Sequence, residues 1–153
     1  MHCVTGLCLQ GVLKDESGCV DVAVKVYSST PVALQLFLAE AVAYSRLAEL
    51  QGSSIVPLLA LGRLPHSGEP ALALALGQPL PRPVTQELAA TAKGAVASLH
   101  DAGFRHGDVR SSNLLVYEGK VVLCDLQTCV LGTSQDIRQQ ELAELQHVLG
   151  ADQ

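Results

Sequence analysis

The chain has 153 residues, 48% of them hydrophobic, enough for one globular core or for two small lobes that share a cleft. Aromatic residues make up only 3% and tryptophan is absent, so Leu, Val and Ala must fill that core. A formal charge of −5, with ten Lys and Arg and no basic run, excludes the electrostatic footprint that nucleic acid or an anionic membrane would require.

In chain order, residues 6–13 and 20–27 are apolar, β-branched runs on either side of Lys14-Asp15-Glu16-Ser17-Gly18, a polar segment ending in Gly, which predicts a hairpin. In the second run Val20, Val22, Val24 and Val26 alternate with Asp21, Ala23 and Lys25. This period of two points Lys25 away from the valine face, toward a cleft. After Pro31, suited to a first helical turn, Leu34, Phe37, Leu38, Ala41, Val42, Ser45 and Ala48 recur at helical spacing until Gly52, predicting a helix over 32–51. Residues 55–64 and 71–76 read as strands around Pro65-His66-Ser67-Gly68, giving four or five strands with one helix inserted.

Three prolines and a glycine in Gly77-Gln78-Pro79-Leu80-Pro81-Arg82-Pro83 predict a linker without regular structure. Thr85 then caps a helix with the apolar face Leu88, Ala92, Ala95, Val96 and Leu99, and Gly103 marks its stop. An irregular loop over 104–110 leads to a short hairpin, 114–117 and 120–124 through Glu118-Gly119. Ser134 opens a last helix carrying Ile137, Leu142, Leu145 and Leu149. The expected division is a β-rich part over 1–76, a linker over 77–83 and a mainly helical part over 84–153.

Cys3, Cys8, Cys19, Cys124 and Cys129 form no CxxC pair and leave an odd one, which favours reduced thiols over a disulfide framework or a zinc site. Met1-His2-Cys3-Val4-Thr5 lacks the charged and apolar regions of a signal peptide, and the longest apolar run, 71–76, is only a strand's length. The expected compartment is the cytoplasm, with no membrane partner.

The chemistry concentrates in His106-Gly107-Asp108-Val109-Arg110-Ser111-Ser112-Asn113, followed by the apolar run 121–124 that ends at Asp125. An Asp with an Asn five positions on, and a strand delivering a second Asp, is the donor pattern of a phosphoryl-transfer loop. Each residue alone has a plainer reading. Lys25 on a strand's polar face and Glu40 on a helix are ordinarily solvated, His106 is ordinarily a satisfied loop histidine, and Asp108 and Asn113 also suit turns. Asp125 at the end of a buried strand either caps a turn or binds something.

Together, Val22-Ala23-Val24-Lys25, Glu40 in Phe37-Leu38-Ala39-Glu40, the His106–Asn113 loop and Asp125 resemble the eukaryotic-type protein kinase domain over residues 6–149. The resemblance implies an α+β, two-lobed fold: a small antiparallel-sheet lobe with one helix, and an incomplete, mainly helical lobe. It implies ATP and Mg²⁺ as cofactors and a protein Ser/Thr hydroxyl as acceptor. Lys25, held by Glu40, would orient the phosphates, Asn113 and Asp125 would hold Mg²⁺, and the adenine would lie near Leu74 and Leu76. Asp108 would orient the acceptor hydroxyl within the loop begun by His106. Arg110, permanently charged and able to contact phosphate through two nitrogens, stands where the family has a Lys.

Four departures accompany the resemblance. Only Gly6 and Gly11 are available for a glycine-rich phosphate loop, and the family's first strand is expected to be missing. Gly107 replaces the usual Arg, which removes a partner for a phosphorylated activation loop. Asp125-Leu126-Gln127 stands for D-F-G, with Gln127 where glycine's backbone freedom is expected. No A-P-E segment follows Asp125, so the peptide platform is expected to be absent, and the apolar surface this leaves open suggests either an interaction surface for a protein partner or a fragmentary gene product. The H-G-D-x-x-x-x-N form also resembles aminoglycoside and choline kinases, and compact atypical protein kinases that assist transfer-RNA modification. Two further readings therefore stand beside the protein kinase: a small-molecule phosphotransferase and a non-catalytic pseudokinase or binding module.

Overall fold

The computed structural model describes residues 2–3, 6–15 and 18–150. Glu16 and Ser17 of the expected hairpin turn, and Met1, Val4, Thr5 and the Cys3 side chain, lie outside the described residues. Those described form a mixed α+β domain with three α-helices and antiparallel sheets.

Strands β2 (Gly6–Asp15) and β3 (Gly18–Tyr27) pair along their whole length, from Gly6 opposite Tyr27 to Asp15 opposite Gly18. With β1 (His2–Cys3), β4 (Leu58–Arg63) and β5 (Pro70–Ala75) they build a five-stranded sheet in the order β1-β2-β3-β5-β4. The two-residue β1 was not among the expected strands. Cys8 and Leu72 lie directly opposite Lys25, and Gln10 and Leu74 opposite Ala23, so these six share one face of the sheet. Val22, Val24 and Val26 lie on the other face, as the alternation requires.

Helix α1 (Pro31–Arg46) starts where Thr30 accepts the Ala33 N–H at 3.3 Å and Pro31 supplies the first turn. It stops five residues before the sequence pattern suggests. The Leu47 N–H still bonds the Ala43 carbonyl, but the Leu50 N–H then turns to Leu47, and residues Ala48–Leu50 tighten into a 3₁₀ turn. The inward face also differs from the expected stripe: Ala33, Glu40, Ala43, Tyr44 and Leu47 are buried, while Leu38 and Val42 face out. Phe37 and Tyr27 meet edge to face, and these two aromatics set the rotation of the helix.

The proline-rich 77–83 segment is not free of regular structure. Its β6 (Gln78–Pro79) pairs with β8 (Leu114–Tyr117), which pairs in turn with β9 (Lys120–Leu123). A proline fits there because β6 lies at the edge of this sheet. Glu118 and Gly119 both have positive φ, 48° and 77°, the signature of a two-residue I′ turn between β8 and β9. Helix α2 (Gln86–Asp101) is capped by Thr85 and buries Ala92, Ala95, Val96 and Leu99 as its periodicity requires. The 104–110 loop is likewise partly regular, since β7 (Phe104–Arg105) pairs with β10 (Val130–Leu131). Helix α3 (Gln135–Gly150) begins where Ser134 accepts the Ile137 N–H.

A single apolar cluster runs from Tyr27 and Tyr44 through Ile55, Val56 and Leu72 to Leu99, Leu123 and Leu145. Backbone bonds fasten its two halves: Leu123 donates to the Ser54 carbonyl at 2.8 Å, and Val56 donates to the Leu123 carbonyl at 2.9 Å. That stitch brings the end of β9, and hence Asp125, beneath β3. No helix among the described residues is long and apolar enough to cross a membrane.

Candidate active site

Lys25 and Tyr27, two residues apart on β3, project toward α1, and Glu40 lies at the centre of that helix's buried face. The Lys25 ammonium donates to Glu40 Oε2 at 2.7 Å and to Asp125 Oδ1 at 2.6 Å, with all three side chains at most 5% exposed. Burial alone would lower the Lys25 pKa, but Glu40 and then Asp125 outweigh it and hold the ammonium above its ordinary value. One ammonium faces two carboxylates, so this trio carries one negative charge in excess.

Asp125 sits at the junction of β9 and the 3₁₀ turn Leu126–Thr128, with a left-handed backbone, φ 62° and ψ 63°. The positive φ thus falls on Asp125 rather than on Gln127, which has no positive φ and needs no glycine-like freedom. Asp is among the residues that tolerate this region best. The turn also explains Gly107, whose φ is 80° and where an added Cβ would stand 2.9 Å from the Thr128 carbonyl oxygen. No arginine can occupy that place without moving the turn.

Within the 106–113 loop, Asn113 and Arg110 both contact Asp108. Asn113, buried at the end of the 3₁₀ turn Ser111–Asn113, donates from Nδ2 to the Asp108 carbonyl at 2.9 Å and to its carboxylate at 3.0 Å. Arg110 reaches the same carboxylate at 2.9 Å, a half-exposed pair that adds little stability but fixes orientation. His106 is wholly buried and does not line the cavity. Its Nδ1 accepts the Asp108 N–H at 3.3 Å, so its Nε2 carries the proton and donates to the Cys124 carbonyl at 3.0 Å. Burial holds its pKa below the ordinary value, which keeps the ring neutral and suits that tautomer.

Between the sheet and this loop lies a cavity of about 300 Å³. Its lining includes Cys8, Gln10, Ala23 and Leu74 from the sheet, Leu76 and Gly77 just after β5, and Leu115 from β8. Lys25, Asp125, Asn113 and Arg110 also line this mainly apolar space. This is the usual make-up of a small-molecule site, with a few polar groups on an apolar lining. Among the described residues no group of three or more His, Cys, Asp or Glu side chains could hold a metal by itself. Asn113 and Asp125 offer an amide oxygen and a carboxylate beside an excess negative charge, a donor set that fits a hard cation completed by phosphate oxygens.

Two residues of this assembly escaped the sequence reading. Glu141 on α3 is buried and accepts the Gly107 N–H at 2.6 Å, the His106 N–H at 3.2 Å and a bond from His100 Nε2 at 2.7 Å. Burial pushes its pKa up, but Gly107, His100 and His106 together outweigh that and hold it below the ordinary value. Its signal was a glutamate in phase with Ile137, Leu145 and Val148 on the apolar stripe. Tyr27 was legible only as the second neighbour of Lys25. Its hydroxyl also donates to Glu40 Oε2, and the Leu126 N–H bonds Glu40 Oε1 at 3.2 Å. The chain matches no family model and no curated protein.

Proposed function

We propose that the chain is a protein kinase-like domain, built as a small sheet-rich lobe and a short, partly helical one, that binds Mg·ATP and transfers its γ-phosphoryl group to a protein Ser or Thr hydroxyl. The observation that carries this reading is the Lys25 ammonium held between Glu40 and Asp125, with Lys25 and Asp125 in the lining of a mainly apolar cavity. Phosphoryl transfer asks of a protein chiefly positioning and charge neutralisation, and those are what these groups supply.

In this reading the adenine lies near Leu74 and Leu76 in the apolar lining of the cavity. Lys25 has a third ammonium proton to offer to phosphate while Glu40 keeps it in place. Asn113 and Asp125 would hold Mg²⁺, which neutralises charge developing on the phosphate oxygens. Arg110 also lines the cavity and adds a fixed positive charge. Asp108, oriented by Asn113 and Arg110, accepts the proton of the attacking hydroxyl. His106 and Glu141 act through the loop backbone as positioning residues. A pseudokinase or binding module is the second reading, favoured by the Asp108 carboxylate being engaged by both Asn113 and Arg110.

Transfer of labelled phosphate from Mg·ATP to a generic protein substrate tests the proposal. The expected result is incorporation by the wild-type chain that falls at least about a hundredfold in Asp108→Asn, the scale of a lost general base. Equal incorporation by both would remove Asp108 from its role. ATP binding without transfer by either would favour the binding module.

A further inference from the structure

Buried carboxylates need donors, and Glu40 has three from two elements: Lys25 and Tyr27 on β3, and the Leu126 N–H. Tyr27 is fully buried, its ring lies against Phe37 with centroids 5.6 Å apart, and the Lys25 ammonium stands 5.4 Å from its centre. Ring and hydroxyl thus grip α1 at two places one helical turn apart, Phe37 and Glu40. We propose that Tyr27 is a positioning residue that locks Glu40, and with it α1, in the assembled state, so that the site needs no activating displacement of this helix. This rests on the phosphotransferase reading above.

The hydroxyl matters most when ligand arrives. Glu40 Oε2 accepts from both Lys25 and Tyr27. When Lys25 turns part of its hydrogen bonding to phosphate, Tyr27 and Leu126 continue to satisfy the carboxylate. Without the hydroxyl, any bond that Lys25 withdraws from Glu40 toward phosphate leaves Glu40 Oε2 without a donor. Gly107 fits the same scheme, because the close approach of Thr128 leaves no space there for a basic side chain that a phosphorylated loop would need.

Calorimetric titration of the whole chain with Mg·ATP tests the lock in wild type, Tyr27→Phe, Glu40→Gln and the double variant. Tyr27→Phe keeps the ring and its packing and removes only the donor. It is expected to weaken Mg·ATP binding about tenfold in the wild-type background and to change nothing further beside Glu40→Gln. Binding within about twofold of wild type, or the same loss in both backgrounds, would overturn the lock while leaving the kinase-like reading standing. Failure of the wild type to bind Mg·ATP would overturn both together. Should Tyr27→Phe not fold, the wild-type chain with labelled tyrosine gives the same decision by nuclear magnetic resonance. A slowly exchanging Tyr27 hydroxyl proton that persists with Mg·ATP supports the lock, and its loss on binding overturns it.

Discussion

Replacing Lys25 with Met tests the electrostatic centre of the site without any assumption about ligand. Methionine keeps an unbranched apolar stem, so the packing of the strand is largely retained and the change is concentrated at the ammonium. Its removal leaves Glu40, at 0% exposure, and Asp125, at 5%, facing one another without a cation. Breaking a buried ion pair by deleting one partner costs about 3–5 kcal/mol, because an uncompensated charge stays in the interior. Glu40 retains Tyr27 and the Leu126 N–H, so the lower half of that range is expected, near 3 kcal/mol. For a chain of this size that corresponds to a fall in Tm of roughly 6–12 °C. The pH dependence follows from the direction of the Lys25 shift, a pKa raised from 10.5. Its contribution is complete below the unfolded value and is lost as the pH rises through the folded one. Urea denaturation followed by circular dichroism should therefore show the Lys25→Met penalty in full at neutral pH and a loss of the Lys25 contribution in strong alkali. A variant as stable as wild type at neutral pH would refute the buried trio.

Glu141→Gln is expected to cost about 2 kcal/mol at pH 7, since three donors lose a charged acceptor, as read by urea midpoint. Because the Glu141 pKa is depressed, the wild type should lose this contribution as the pH falls below 4.5, and the stability difference between wild type and Glu141→Gln should narrow there. Gly107→Ala should destabilise by about 1–3 kcal/mol, because its φ is 80° and its Cβ meets a backbone oxygen; an unchanged melting temperature would contradict that contact. Mass-spectrometric alkylation at pH 8 should label exposed Cys19 before Cys8 and Cys124 and leave Cys129, whose thiol burial pushes up to about 12, unreacted. Mg·ATP should slow labelling of Cys8 and Cys124, which line the cavity, and labelling rates unaffected by nucleotide would count against its place there.

The elements whose sequence signals are strongly periodic lie close to where they were expected: the β2–β3 hairpin, α2 and the β8–β9 hairpin. The face of Lys25 was legible because strand alternation has only two options. The rotation of α1 was not. With apolar residues nearly all round, including Leu38 and Val42 on the outside, its periodicity has no unique solution, and Tyr27 against Phe37 chooses the inward face instead. The same ambiguity left Glu40 outside the apolar pattern, when it lies at the centre of the buried face. The pairing of Gln78–Pro79 with β8 and of Phe104–Arg105 with β10 was invisible because two-residue strands carry no period. Glu141 was hidden for a further reason: a glutamate on a terminal helix is ordinarily solvated, and only the three donors that converge on it explain its burial.

The most direct test of the account is thermal unfolding with ATP, with and without Mg²⁺, in wild type and Asp125→Asn. The account predicts stabilisation of about 2.7 kcal/mol when nucleotide is a hundredfold above its Kd. That stabilisation should depend on Mg²⁺ in the wild type and lose the dependence in Asp125→Asn. No shift at millimolar ATP, or a metal dependence that survives the substitution, would contradict a nucleotide site built on Lys25, Glu40 and Asp125.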